Sequence, residues 1–122
     1  MRGIKFRGKR IADGEWTFGW LAIESDGTAW ISRYHRRGEW EQVDPKTVGQ
    51  FTGLKDCNGL DIYEGDIVKF AGELGVVRLD EKYAGWRMHF ISYSYGMNIH
   101  HKNDYEVIGN IYENSELLGD TQ

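Results

Sequence analysis

The stretch Gly49–Phe70, GQFTGLKDCNGLDIYEGDIVKF, decides the fold. Gly and Asp punctuate it, and it closes on the apolar burst DIVKF. It reads either as a ligand-binding loop or as a set of turns feeding strands. Asn58-Gly59 is a type I′ hairpin pair, because both central positions of that turn need φ > 0 and these residues tolerate it. Gly65-Asp66 reads as a second turn, with Gly65 supplying a positive φ and the Asp66 carboxylate free to accept backbone N–H bonds. The competing reading takes Asp56, Asp61, Glu64 and Asp66 as oxygen donors to a cation. Only Asp56 and Asn58 keep EF-hand spacing; the third ligand position and the terminal Glu do not fit. Turns are therefore the expectation. Cys57 sits beside the first turn and is expected near the surface. A nucleophilic role for it would need a nearby base, and its neighbours Asp56 and Asp61 are acidic.

Downstream, DIVKF, GVVRLD, GWRMHFISYSY and YEVIGNIYE read as four strands. In the third, Trp86, Met88 and Phe90 share one face, opposite Arg87, His89 and Ile91. NSELL reads as one helical turn, begun by Asn114 or Ser115 and stopped by Gly119. Upstream, turns at Asp13-Gly14, Ser25-Asp26-Gly27 and Gly38 divide the first forty residues into a four-strand meander. Ile4 and Phe6 point one way; Lys5, Arg7 and Lys9 point the other, toward solvent. Trp16, Phe18, Trp20 and Ala22 share a face, as do Trp30, Ser32 and Tyr34. Asp44-Pro45 opens a connection, since the chain's one proline cannot sit in a central strand, and KTVGQF follows as a short strand. The expected fold is all-β, two small sub-barrels or sheets in a single compact domain spanning 1–122. The lobes divide near residues 44–50, an N-terminal one of about 1–48 and a C-terminal SH3-like one of about 60–112.

Composition fits a globular chain: hydrophobic residues make up 40% and charged residues 28%, with aromatics at 14% including five Trp and seven Tyr. Aromatics favour strands and give a small core enough area to bury. One cysteine excludes an intrachain disulfide. The basic start MRGIKFRGKR lacks an apolar core and does not read as a signal peptide, and no apolar run reaches the roughly 20 residues of a membrane span. A cytoplasmic setting is the expectation. The net charge of −4 is uneven: eight Lys/Arg against five Asp/Glu give +3 over residues 1–40, while seven against fourteen give −7 beyond. An acidic whole argues against indiscriminate nucleic-acid binding, whose affinity comes from phosphate neutralisation, but a local basic face stays open.

His100-His101, with His89 and Asp104, is the other candidate for metal or catalysis. Neighbours on a strand point to opposite faces, so the two imidazoles would not converge on one ion; on a loop they could. No Walker loop or dinucleotide fingerprint is present. Lys5, Arg7, Lys9, Arg10, Arg33, Arg36 and Arg37 lie beside Trp16, Trp30, Tyr34 and Trp40. Basic residues interleaved with aromatics suit single-stranded nucleic acid, and the same aromatics suit a core or a subunit interface. The candidate interaction surface is Arg33, Tyr34, Arg36, Arg37, Trp40, Tyr93 and Tyr95. Asn58, Gly59, Gly65 and Asp66 are structural turn residues.

IKFRGKR with GEW, the long middle motif GQFTGLKDCNGLDIYEGDIV, and YEVIGNIYENSELL together resemble the YopX family of bacteriophage and prophage proteins. Where that family commonly shows NPELL, this chain has Asn114-Ser115-Glu116-Leu117-Leu118. The resemblance implies a β-rich, phage-encoded protein in the host cytoplasm, and it supplies no activity, cofactor or catalytic residue. The expectation is a non-enzymatic protein without cofactor or metal, acting by protein–protein interaction and assembling as a homo-oligomer. The alternative is a nucleic-acid-binding accessory protein using the basic face of residues 1–40.

Overall fold

The computed structural model describes residues 5–33, 39–80, 85–91, 96–98 (backbone only) and 104–119. Among these the chain is all-β. The strands are β1 (Phe6–Lys9), β2 (Trp16–Ile23), β3 (Ala29–Ser32), β4 (Trp40–Val43), β5 (Gly49–Lys55), β6 (Asp61–Tyr63), β7 (Asp66–Phe70), β8 (Glu73–Asp80), β9 (Gly85–Phe90), β10 (Gly96–Asn98) and β11 (Glu106–Asn110). Two 3-10 turns, Pro45–Thr47 and Ser115–Leu118, complete the regular structure. Hydrogen bonding orders two sheets, β4-β3-β2-β1-β5-β6 and β10-β9-β8-β7-β11. The chain divides into two compact units, Met1–Phe51 and Thr52–Gln122. Strand β5 crosses the boundary, pairing with β1 through Gly49 and Gln50 in the first unit and with β6 in the second.

Three described turns of the first unit are each fixed by a carboxylate. Asp13 accepts the Glu15 N–H at 3.0 Å, and Asp26 accepts the Thr28 N–H at 2.9 Å. Asp44 accepts the Lys46 N–H at 3.0 Å and caps the 3-10 turn that opens on Pro45. Ala29, Ile31 and Val43 form the core, with Phe6, Leu21 and Val48 packed on it. The sheet curls: the Ile11 N–H reaches the Gln42 carbonyl at 3.0 Å and the Asp44 N–H reaches the Lys9 carbonyl at 2.8 Å, so residues after β1 meet the β4 edge. Arg7, expected on a solvated face, is only 7% exposed. Its guanidinium lies 4.6 Å from the Trp16 ring centroid, and that flat cation–aromatic stack replaces water.

In the second unit Ile62, Val68, Val77, Met88 and Tyr105 form the core. Trp86 and Phe90 pack on it from the same face of β9 as Met88, and the Phe70 and Tyr105 rings stack at 4.9 Å. On the opposite face of β9, Asp80 stands 3.6 Å from both Arg87 Nε and His89 Nε2. Asn58-Gly59 is not a type I′ pair, because only Gly59 has positive φ, at +82°. Instead Gly59 N–H donates to the Asp56 carbonyl at 3.0 Å and Asp56 N–H to the Leu60 carbonyl at 2.8 Å, a three-residue loop ending in a left-handed glycine. The tail turn Ser115–Leu118 ends on Gly119 at φ +70°.

Candidate functional site

The middle motif turns its polar groups inward. Asp56 is 2% exposed. Its Oδ1 accepts the N–H groups of Asn58 at 2.8 Å and Leu60 at 2.9 Å, and its Oδ2 accepts that of Val107 at 2.9 Å. Asp66, also buried, accepts the Tyr63 N–H at 2.8 Å. Both carboxylates thus tie strands together. Gly65 (φ +93°) has its own two backbone bonds, donating to Val77 at 2.9 Å and accepting from Ile111 at 3.0 Å. A Cβ there would sit 3.1 Å from the Tyr112 ring. Among the described residues no group of three or more His, Cys, Asp or Glu side chains stands close enough to hold a metal ion. Cys57 is exposed.

A cleft of about 470 Å³ in the first unit is lined by Arg10, Ile11, Ala12, Asp13, Glu41 and Gln42. Its charged groups are engaged with one another. Arg10 donates to Asp13 through Nε at 2.9 Å and Nη2 at 2.6 Å, and to Glu41 through Nη1 at 2.9 Å. Thr17 Oγ1 donates to Glu41 at 2.7 Å. The Arg10 hydrogen bonds hold Asp13 below the usual carboxylate range; the Thr17 hydroxyl, then Arg10, does the same for Glu41. Asp13 in turn raises Arg10. This network fastens the β1–β2 turn to β4.

The richest surface is the outer face of the first unit's sheet. Register places Lys9 opposite Trp16 and Arg7 opposite Phe18, and Trp20 opposite Ser32, which is opposite Trp40. Alternation therefore gathers Lys5, Arg7, Lys9, Trp16, Phe18 and Trp20 on one face, while Thr17 and Leu21 turn to the other. Phe18 and Trp20 are each 39% exposed, unusual for such large rings. Lys9 Nζ lies 5.6 Å from the Trp16 centroid, and Lys5 Nζ lies 4.8 Å from that of Phe51. Between the two exposed rings Gly19 brings β2 hard against β3: a Cβ there would collide with the Ser32 carbonyl oxygen. No larger residue could hold Phe18 and Trp20 on that close approach.

Of the surface residues read from the sequence, Arg33 is exposed at the end of β3 and Trp40 is half-buried on the outer face. Tyr34, Arg36, Arg37, Tyr93, Tyr95, His100 and His101 lie outside the described residues. Phe18 and Trp20 are not among the surface residues expected from the sequence. Alternation tells which residues share a face but not which face is inward. Gly8, Thr17 and Gly19 share the face of Phe6, and a Cβ on Gly8 would meet the core side chains of Val43 and Ile31; that run of small residues carried the signal.

The family model described as YopX protein matches residues 5–119. No curated protein matches the chain. The chain belongs to the YopX family.

Proposed function

Taking YopX-family membership as the premise, we propose that this protein works by binding another macromolecule, without catalysis, on the outer face of its first sheet. The setting is that of a bacteriophage or prophage protein in the host cytoplasm. One observation carries the reading: two large rings, Phe18 and Trp20, stand exposed on a face lined with cations. Rings so placed gain by being covered, at about 25 cal/mol per Å² of apolar area removed from water. The buried carboxylates Asp56 and Asp66 serve the backbone, and the Arg10 network serves the fold. A protein partner and a second copy of this chain are the partners expected from the sequence. The same face gives self-association its route, through burial of Phe18 and Trp20 against a second copy. We also read the second sheet as SH3-like: its final strand β11 returns beside β7, the first of the β7–β10 meander. Such folds host unrelated functions. Affinity capture from infected cells, with wild type and F18A/W20A as baits, tests the binding face. Material held by wild type and lost by the double variant is the expected result; identical captures with matched melting curves would overturn it.

A further inference from the structure

We infer that the occupant of this face is single-stranded DNA. The inference rests on the reading above, that the outer face of the first sheet is the working surface. Three observations select the ligand class. First, the cations and rings are interleaved rather than segregated. Lys5, Arg7 and Lys9 run along β1 and its approach, with Phe18 and Trp20 on the adjacent strand at the same level. Single-strand binding sites pair a positive track for the backbone with rings on which bases stack. Second, over the described positions of β1 to β4 the charge on this face has one sign. The positions that alternation and register assign to it on β1 to β4 (Arg7, Lys9, Trp16, Phe18, Trp20, Ala22, Trp30, Ser32, with Trp40 and Gln42) include no carboxylate. Glu41 points to the other face, where it accepts from Thr17. Acidic residues elsewhere set the negative net charge, while residues 1–40 carry +3.

Third, the spacing favours an extended single strand over a duplex. Phe18 and Trp20 are two residues apart on one strand, so their Cα atoms are about 6.8 Å apart. Bases in a duplex rise about 3.4 Å per step and stay stacked on each other, so neighbouring bases cannot each cover a ring. A single strand can open to that spacing and lay one base on each. Stacking on rings and neutralisation of phosphates by cations need no 2′-hydroxyl, so deoxyribose loses nothing there. Arg7, buried against Trp16, positions that ring and adds to the local potential; Lys5 and Lys9, half-exposed, are the groups placed to meet phosphates.

The test is fluorescence anisotropy of labelled oligo-dT of about 20 nucleotides, with full-length protein titrated at several salt concentrations. We expect oligo-dT to bind more tightly than a duplex of equal length. Substituting Phe18→Ala or Trp20→Ala should weaken binding at least about fivefold each, the loss of one stacked base. K5Q/K9Q should flatten the log–log salt dependence by about 1.4, or 0.7 for each phosphate no longer neutralised. Melting curves matching wild type establish that the variants fold. Duplex bound as tightly as oligo-dT, oligo-dT binding indifferent to both aromatic substitutions, or an RNA strand bound tenfold tighter than its DNA counterpart would each overturn the inference. A protein partner captured by wild type and lost by F18A/W20A, with no DNA bound, would also sink it while leaving the binding-face reading intact.

Discussion

Asp56 shows how one side chain can resemble a ligand and serve the fold. It carries three backbone N–H groups on its two oxygens, and one comes from Val107, 51 positions along the chain. Buried hydrogen bonds to a charged group contribute about 1.5–3 kcal/mol each, less where water can replace the carboxylate. Two of the donors lie in an exposed loop, so Asp56→Ala should cost about 2–4 kcal/mol, read as a lowered urea midpoint. Asp56→Asn should fall between, since its amide offers one accepting oxygen and turns an NH2 toward a donor. Chelator should change neither value. The turn character of Asp56–Gly59 was legible in the sequence; the Val107 bond was not, because no local pattern signals a partner so distant. The Arg10 network makes a pH-dependent contribution. Asp13 and Glu41 are held below their ordinary values, so the stability they add is fully present above the unfolded-chain range of about 3.9–4.3 and is lost as pH falls through their lower folded values. The melting midpoint of Arg10→Gln should therefore trail wild type at pH 7, and the gap should close below about pH 4. A gap that persists at pH 2 would contradict it.

At the scale of the element, turns separate what pattern reveals from what it hides. Phe70 pairs with Glu73, leaving Ala71-Gly72 as a two-residue hairpin turn with positive φ at both positions, +53° and +83°. A left-handed alanine costs about 1–2 kcal/mol. Ala71→Gly should recover part of that, raising the denaturation midpoint by the equivalent of about 0.5–1 kcal/mol; an unchanged or lower midpoint would show the turn is unstrained. Gly65→Val runs the other way. Its φ of +93° and the Tyr112 ring at 3.1 Å leave no room, and a loss of roughly 1–3 kcal/mol is expected. The glycine and aspartate turns, and the Trp86, Met88, Phe90 face of β9, could be read directly, since local chemistry fixes them. Strand β6 could not: Asp61–Tyr63 is three residues long, too short to show a period, and pairing with β5 holds it in place. In β2 the inward face belongs to Thr17 and Leu21 because register sets Leu21 beside Ile31 on the face that packs the Ala29, Ile31 and Val43 core, a property of the neighbours rather than of WTFGWLAI itself.

For the molecule as a whole, assembly turns on which surfaces stay open. The expectation from the sequence is a homo-oligomer, and an unpaired sheet edge is one general route to it. Yet Ile11 engages the β4 edge through Gln42, the Asp56 carboxylate takes the Val107 N–H of β11, and the register shift between Val107 and Gly109 bends that strand further. Phe18 and Trp20 are the largest of the exposed apolar side chains among the described residues. Self-association driven by them should differ from attraction between the +3 and −7 stretches of two copies in one measurable way, its response to salt. At 1 M salt the screening length shrinks to about 3 Å and charge attraction between surfaces fades, while burial of rings does not weaken. We therefore expect sedimentation at high micromolar protein to give a mass above the 14.1 kDa chain that persists at 1 M salt and collapses to monomer in F18A/W20A. Oligo-dT should dissociate the assembly, because base and second copy compete for the same two rings. A 14.1 kDa particle under all conditions would contradict self-association. An assembly dissolved by salt but indifferent to the aromatic substitutions would move the contact to the charged surfaces instead.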